Sequence, residues 1–199
     1  MFLKTHKAGS STVTNILFRY GESHGLNFAL PSGQSHFQYP WPFHRRAVSD
    51  YTPGSCYNII ASHMRFHGDE LRGLLPVDRV YFTILRHPAS LFESSFHYYG
   101  PSVPLTWRIP GPDKMAAFLR NPWAYYRPEA YNSHYIRNLQ AFDLGYDKDM
   151  DPHEPQLQQI LQVTPRPGPV GGNRRRQELG CGIGNGGAGW TGDERPGVC

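Results

Sequence analysis

The sequence predicts an α/β domain with a central parallel sheet flanked by helices, because short apolar runs alternate with segments of helical period. The first run is Phe2-Leu3, which leads through a polar turn into a helical segment that continues past Val13. The run Val80–Leu85 is continuous, β-branched and aromatic, as expected of a central parallel strand, and a helical segment follows it from Pro88. The run Tyr57–Ala61 predicts a further buried strand.

The turn after the first strand has the composition of an anion-binding loop. It reads Lys7-Ala8-Gly9-Ser10-Ser11-Thr12. The apolar residues that follow share one face of a helix: Val13, Ile16, Leu17 and Tyr20. Gly9 lets the backbone come close to a ligand, and the hydroxyl side chains are candidate N-caps. A helix N-terminus with free amides, hydroxyls and lysines predicts a site for a phosphate-bearing ligand.

Other interpretations of this loop remain open on its residues alone. A short Ser/Gly helix cap on any α/β domain has the same pattern. A P-loop nucleotide kinase or NTPase is a further alternative, although a Walker A loop places its lysine after the second glycine, whereas Lys7 precedes Gly9. The strand Val80–Leu85 leads into Arg86 rather than into a Walker B aspartate, which also argues against an NTPase.

The middle of the chain supplies a loop and a strand end with candidate ligand-binding side chains. Residues 32–54 are punctuated by proline and glycine and are rich in aromatic residues, which indicates either a surface loop or a loop over a nucleotide or sugar site. His63 and Arg65 follow the strand Tyr57–Ala61, and ligand-facing groups of α/β sheets lie at the carboxyl ends of strands. A short helix is expected from Asp69 to Leu75.

Arg86 and Ser94 form the second candidate anion site. Arg86 ends the strand Val80–Leu85, and Ser94 lies eight residues later, on the helix that begins at about Pro88. Because this helix folds back over the strand terminus, the guanidinium and the hydroxyl can meet on one phosphate, whose oxygens match the fork of an arginine side chain.

The remaining segments predict helices and a terminal tail. Helices are expected over Asp113–Arg120, Tyr131–Phe142 and Glu154–Val163. The aspartates from Asp143 to Asp151 are interpreted as solvated turns, since their spacing does not match an EF-hand calcium loop. Residues 164–199 are rich in Gly, Pro and Arg and have no apolar period, so we expect a domain over 1–163 and a disordered tail over 164–199.

Composition restricts the function classes. The 199 residues fit one domain, and the net charge of +4, with its basic run confined to the tail, does not indicate a nucleic-acid partner. The three cysteines have neither zinc nor disulfide spacing, so no metal is expected. The sequence contains no apolar run of about 18 residues that predicts a membrane span, and no signal peptide opens it.

Taken together, the two candidate anion sites are similar to those of sulfotransferases. Lys7 leading into residues 8–12 resembles the 5′-phosphosulfate loop, and a strand followed by Arg86 and Ser94 resembles the 3′-phosphate motif of that superfamily. Several segments resemble the galactose-3-O-sulfotransferase family more narrowly: Phe2–Val13, Asn15–Arg19, Asn58–Ile60, His63–Phe66, Ile84–Arg86 and Glu93–Phe96. The resemblance covers about residues 2 to 163, is greatest to the family members that act on galactosylceramide, and implies a P-loop-like sulfotransferase domain that is incomplete at its C-terminus.

This resemblance implies a donor and an acceptor. The donor is 3′-phosphoadenosine 5′-phosphosulfate (PAPS), with its 5′ side held by Lys7–Thr12 and its 3′-phosphate held by Arg86 and Ser94. The acceptor is the 3-hydroxyl of a galactosyl residue on a glycolipid or glycan, most closely galactosylceramide. Lys7 is expected to stabilise charge on the leaving phosphate.

The same resemblance implies a base and a cellular setting. His63 is the expected catalytic base, His6 is the alternative, and Lys4 is expected to point away along its strand. Family members lie on the lumenal side of the Golgi membrane through an N-terminal anchor that this sequence does not contain, and a homodimer is an open expectation. Because the family also continues beyond residue 163, a catalytically inactive product that at most binds the donor is a further expectation.

Overall fold

The structure is a computed structural model that describes residues 1–151 and 153–155. Its strands and α-helices in chain order are β1 (Phe2–Leu3), α1 (Ser10–Ser23), β2 (Phe28–Ala29), β3 (Ile59–Ile60), α2 (Gly68–Arg72), β4 (Phe82–Thr83), α3 (Pro88–Tyr99), α4 (Pro104–Trp107), α5 (Lys114–Arg120), α6 (Pro122–Tyr125) and α7 (Leu139–Asp143). The expected disordered tail over 164–199 lies outside the described residues, as does the expected helix Glu154–Val163 apart from its first two positions.

The strands form short parallel ladders. Phe2 and Leu3 of β1 pair with Phe82 and Thr83 of β4, and β2 pairs in the same sense with β3. Because β1 also contacts β3, the strands follow the order β2-β3-β1-β4. This mixture of helices and parallel strands confirms the predicted α/β class. The expectation of one continuous central sheet is wrong for the described residues, since each strand leaves its ladder after two residues to enter a loop.

Strand β4 lies at an edge, contrary to the prediction of a central strand over 80–85. Its ladder contains only Phe82 and Thr83, and the side chains of Val80, Phe82 and Leu85 are 70%, 43% and 60% exposed. Within the described residues, β4 pairs with β1 alone. A continuous apolar run indicates a strand, but it does not reveal whether a partner strand covers both of its edges.

The predicted helices after β1 and β4 are confirmed. Helix α1 begins at Ser10 behind Gly9, whose φ of 73° is readily adopted by glycine. Helix α3 begins at Pro88, a position where the missing N–H breaks no helical hydrogen bond. Partly buried side chains of α1 pack against Phe2 and Ile59, so the helix covers β1 and β3.

The buried face of α1 differs from its apolar face in sequence. Ile16 and Tyr20 are 61% and 54% exposed, whereas Thr14 and Gly21 are buried. A Cβ atom placed on Gly21 would lie 2.4 Å from the Phe28 ring, so the missing side chain lets α1 approach β2 and β3 closely. Small residues therefore allow the close approach of α1 to the strands, while Val13, Leu17 and Phe18 pack against them.

The predicted helix Tyr131–Phe142 is wrong as a single element. A 3-10 turn over Ser133–Ile136 and helix α7 are separated by Asn138, whose φ of 46° is left-handed. Asparagine is one of the few residues that adopt this conformation without large strain. The break redirects the chain so that α7 ends with Asp143 in the protein interior.

Candidate active site

The loop between β1 and α1 presents its backbone to open space. Lys7 and Gly9 both have positive φ angles, 55° and 73°, which give the tight turn that precedes α1. A Cβ atom on Gly9 would meet no atom within 4 Å. Gly9 occupies the N-cap and has no side chain to cap the helix, so the Ser10 and Ser11 amides are left for another acceptor, and the predicted anion site stays a prediction.

The hydroxyl side chains of this loop have different roles. Ser10 is buried, and its Oγ donates to the Thr5 carbonyl at 2.6 Å, so it closes the turn. Ser11 and Thr12 are exposed on the first turn of α1 and remain candidates for contact with a ligand. The Lys4 Nζ donates to Ser11 Oγ at 3.0 Å, so the expectation that Lys4 points away from the loop is wrong. Burial lowers the pKa of Lys4.

The structure brings together the leading residues of the two predicted motifs. Arg86 Nη1 donates to the Lys7 carbonyl at 3.0 Å, although the residues are 79 positions apart. The Lys7 ammonium lies 3.6 Å from the centre of the Tyr98 ring on α3. Ser94 is half-buried one helical turn before Tyr98, and within residues 1–151 it makes no hydrogen bond with Arg86. Arg86 therefore lies beside the loop Lys7–Thr12, while its pairing with Ser94 stays a prediction.

Two histidines stack at the carboxyl ends of β1 and β3. The ring centres of His6 and His63 are 4.0 Å apart, with the planes inclined by 11°. His63 Nδ1 lies 2.9 Å from the Lys4 carbonyl, which can only accept, so Nδ1 carries the proton and Nε2 keeps the lone pair. Burial, with smaller contributions from His6 and Lys4, lowers the pKa of His63 to about 3. His63 is therefore neutral at physiological pH.

Asp143 is the site residue that the sequence did not reveal. It is completely buried, so its interpretation as part of a solvated turn is wrong. Its carboxylate accepts from the His6 backbone N–H at 2.8 Å, and His6 Nδ1 lies 2.9 Å from Oδ1. The Tyr39 hydroxyl donates to the same oxygen at 2.9 Å. A carboxylate that accepts from Nδ1 leaves the Nε2 lone pair of His6 free to accept a proton.

The aromatic loop over residues 32–54 lies against the histidine pair. The Phe37 and Phe43 N–H groups donate to the His63 and Arg65 carbonyls, each at 2.8 Å. Tyr39, between them, is 8% exposed, and burial together with Asp143 raises its pKa. Of the two interpretations of this loop, its contacts favour a loop over the site.

Comparison with known proteins decides the family. The family model described as galactose-3-O-sulfotransferase matches residues 1–166. The chain belongs to this family. Its sulfotransferase-like loop, Lys7–Thr12, and its Arg86 both lie within the matched region.

Individual relatives agree with this membership. The chain is 57% identical over 167 residues to galactosylceramide sulfotransferase from Homo sapiens, covering 83% of this chain and 40% of the relative. The corresponding protein from Bos taurus is 57% identical over 164 residues, covering 82% and 39%. Galactose-3-O-sulfotransferase 2 from Sus scrofa is 45% identical over 154 residues, covering 75% and 38%. The chain thus spans about 40% of the length of these galactose-3-O-sulfotransferases. No solved structure matches the chain.

A cavity of about 390 Å³ opens next to the strand ends that carry the stacked histidines. It lies at the carboxyl ends of β1, β2 and β3, and its lining includes Lys4, Phe18, Leu30, Gln34 and Ser62. Since the Lys4 carbonyl bonds to His63 and Ser62 precedes His63 in sequence, the cavity adjoins the histidine pair. Its walls are largely apolar.

The described residues contain neither a metal-binding cluster nor a membrane-spanning helix. No cluster of three or more His, Cys, Asp or Glu side chains is arranged to hold a metal ion in residues 1–151 and 153–155. In the same part of the chain, no helix has both the length and the apolar character needed to cross a membrane.

Proposed function

We propose that this chain carries out galactose 3-O-sulfation, with PAPS as the sulfuryl donor and the galactosyl 3-hydroxyl of galactosylceramide as the acceptor. The observation that carries the proposal is the hydrogen bond from Arg86 to the Lys7 carbonyl, which joins two motifs that are distant in sequence. The names of the relatives, galactosylceramide sulfotransferase and galactose-3-O-sulfotransferase, support the choice of acceptor.

The residues of the loop fit a donor with several phosphate oxygens. Open space at Gly9, the amides at the start of α1 and the exposed hydroxyls of Ser11 and Thr12 favour an anion at the 5′ side. Arg86 adds a guanidinium next to this loop, and we assign it, together with Ser94, to the 3′-phosphate. A phosphate at each end of the ligand distinguishes such a donor from ATP.

The reaction needs charge stabilisation and removal of one proton. The donor supplies a sulfuryl group bonded to its 5′-phosphate oxygen, and transfer leaves negative charge on that oxygen. We assign the stabilisation of this charge to Lys7 and the α1 amides, and losing one such donor typically costs about 3 kcal/mol in the barrier. The proton of the acceptor hydroxyl must pass to a base beside the loop.

We assign this proton to Nε2 of His6 rather than to His63. Asp143 accepts from Nδ1 of His6, so the ring can take a proton at Nε2 while the carboxylate stabilises the resulting cation. His63, whose pKa is about 3, is a weaker base near neutral pH, because efficient bases have a pKa near the operating pH. In this assignment, His63 fixes the orientation of the His6 ring by stacking.

Substitution of each histidine by glutamine distinguishes the two bases. We expect His6→Gln to lower turnover of galactosylceramide by at least about a hundredfold, the usual contribution of a general base, and His63→Gln to lower it less. Turnover is measured with radiolabelled PAPS, and His24→Gln, exposed at the end of α1, is the matched control. Retained activity in His6→Gln, with loss in His63→Gln, would identify His63 as the base instead.

Binding of 3′-phosphoadenosine 5′-phosphate (PAP) to the full chain tests the donor site. We expect Arg86→Ala to weaken binding by about 1.5–3 kcal/mol, as for other hydrogen bonds to charged groups. Arg108→Ala, which removes an exposed arginine elsewhere, should leave the affinity unchanged in the same calorimetric titration. A folded chain that does not bind PAP would contradict the donor site, whereas binding without turnover would identify the inactive, donor-binding product as the correct alternative.

Family membership also motivates a proposal for location. We propose that the protein acts on galactosyl glycolipid or glycan at the lumenal side of the Golgi membrane, in keeping with the resemblance described above. Fractionation of cells that express the chain, with protease protection of intact vesicles, tests this; a cytosolic, protease-sensitive product would contradict it.

A further inference from the structure

The backbone of Arg86 is held by one side chain, that of Gln140 on α7. The Arg86 N–H donates to Gln140 Oε1 at 2.6 Å, and Gln140 Nε2 donates to the Arg86 carbonyl at 2.9 Å. A primary amide has both an acceptor and donors, so one side chain satisfies both polar groups of the Arg86 backbone. Among residues 1–151, these backbone groups make no other hydrogen bond.

This contact fixes a residue that the sheet does not hold. Strand β4 is paired with β1 only at Phe82 and Thr83, and α3 begins at Pro88, so Arg86 lies in the connection between them. Its side chain is exposed and reaches the Lys7 carbonyl. Gln140 holds the Arg86 backbone, and the position of this backbone determines where the Arg86 guanidinium points.

Helix α7 also holds the other half of the site. Asp143, three residues after Gln140, bonds the backbone and the ring of His6, the residue directly before Lys7. The Asp143 contacts are completely buried, whereas those of Gln140 lie at the protein surface. Both sets of contacts come from one five-residue helix, so α7 links the loop Lys7–Thr12 to Arg86.

We propose that Gln140 is a positioning residue that gives the site its selectivity for nucleotides carrying a 3′-phosphate, by holding Arg86 at a set distance from the Lys7 loop. This inference rests on the proposed function and deepens it. Gln140 itself does not contact the nucleotide; it acts through Arg86. Its loss therefore weakens recognition of the 3′-phosphate and leaves binding at the 5′ side, which Lys7 and α1 provide.

Calorimetric titration of the full chain with PAP and with adenosine 5′-monophosphate separates these contributions. The substitution Gln140→Met keeps the length of the side chain but removes both hydrogen bonds. We expect it to weaken PAP binding roughly tenfold, as the loss of two hydrogen bonds suggests, with less than about a twofold change for the monophosphate. Gln140→Glu keeps the acceptor for the Arg86 N–H and should retain part of the preference. Gln38→Met is the matched control, since the exposed Gln38 side chain makes no hydrogen bond within residues 1–151.

Each outcome decides the inference. If wild-type protein prefers PAP and Gln140→Met keeps the full preference, Gln140 does not position Arg86, and the proposed function is unaffected. Equal weakening for both nucleotides, with a lower melting temperature, would show a merely structural role and overturn the inference as well. A wild-type chain that binds both nucleotides equally would contradict the donor site and the inference together. If Gln140→Met does not fold, the ratio of the two affinities in Gln140→Glu decides in the same way.

Discussion

Replacing Asp143 with alanine should lower the free energy of unfolding by about 3–5 kcal/mol, the cost of breaking a buried, hydrogen-bonded charge. The carboxylate is completely buried and accepts from the His6 backbone, the His6 ring and the Tyr39 hydroxyl. Its removal leaves these donors without a partner in a dry environment, where each unsatisfied group costs about 1–3 kcal/mol. Urea unfolding followed by circular dichroism at about pH 7 measures the change.

Two further variants make the Asp143 prediction specific. Asp143→Asn keeps the volume but turns an amide N–H toward a donor, so it should cost roughly half as much as alanine. Asp78→Ala removes an exposed aspartate and should change stability by less than about 0.5 kcal/mol. The importance of Asp143 would be refuted if Asp143→Ala were as stable as Asp78→Ala.

Asp143 also shows why part of the site could not be predicted. It is 137 residues from its partner His6, and it begins a stretch with several aspartates, a pattern that is typical of exposed turns. Its burial follows from the break at Asn138, which turns α7 inward. Neither the break nor the distant partner is visible in local sequence. A weak signal was present, since Phe142 and Leu144 on either side are apolar.

The strand, turn and helix that form the proposed anion loop were predictable because their signals are local. A short strand, a glycine at the N-cap and a helical period follow one another within residues 2–20, and the structure has the same order. Proline at the start of α3 is likewise a local signal that the structure confirms. The contact of Arg86 with Lys7 was not predicted; it follows from the pairing of β1 with β4, since the carboxyl ends of adjacent parallel strands lie at one edge.

Predictions that depended on neighbours in space were less successful. The apolar run 80–85 has the composition of a central strand, yet β4 is half-exposed because burial depends on partner strands rather than on the run itself. Lys4 was expected to follow the alternation of its strand, but the strand ends at Leu3 and the side chain turns toward Ser11. In both cases the regular pattern of a strand was extended in sequence past the two residues that are paired in the ladder.

Two histidines should make the protein less stable in weak acid: His63 of the site, and His134, whose ring centre lies 5.3 Å from that of Tyr39. Burial lowers the pKa of both His63 and His134 to about 3 in the folded state, whereas an unfolded histidine has a pKa of about 6.5. Between these pH values the unfolded chain binds protons that the folded chain does not, so the free energy of unfolding falls as the pH falls. By about pH 5, each histidine should lower it by up to about 2 kcal/mol.

Urea unfolding at about pH 7 and about pH 5 isolates this histidine effect. Arg45 lowers the pKa of Glu70 to about 2, so Glu70 changes the free energy of unfolding mainly below the ordinary carboxylate pKa, which is lower than about pH 5. His63→Gln and His134→Gln should each reduce the difference between the two pH values by about half, even if they change the stability at both. His24→Gln, on the surface, should leave the difference intact. If both His63→Gln and His134→Gln retain the full difference, the acid sensitivity arises from other groups. The neutral state of His63, which favours His6 as the base, would then lose its support.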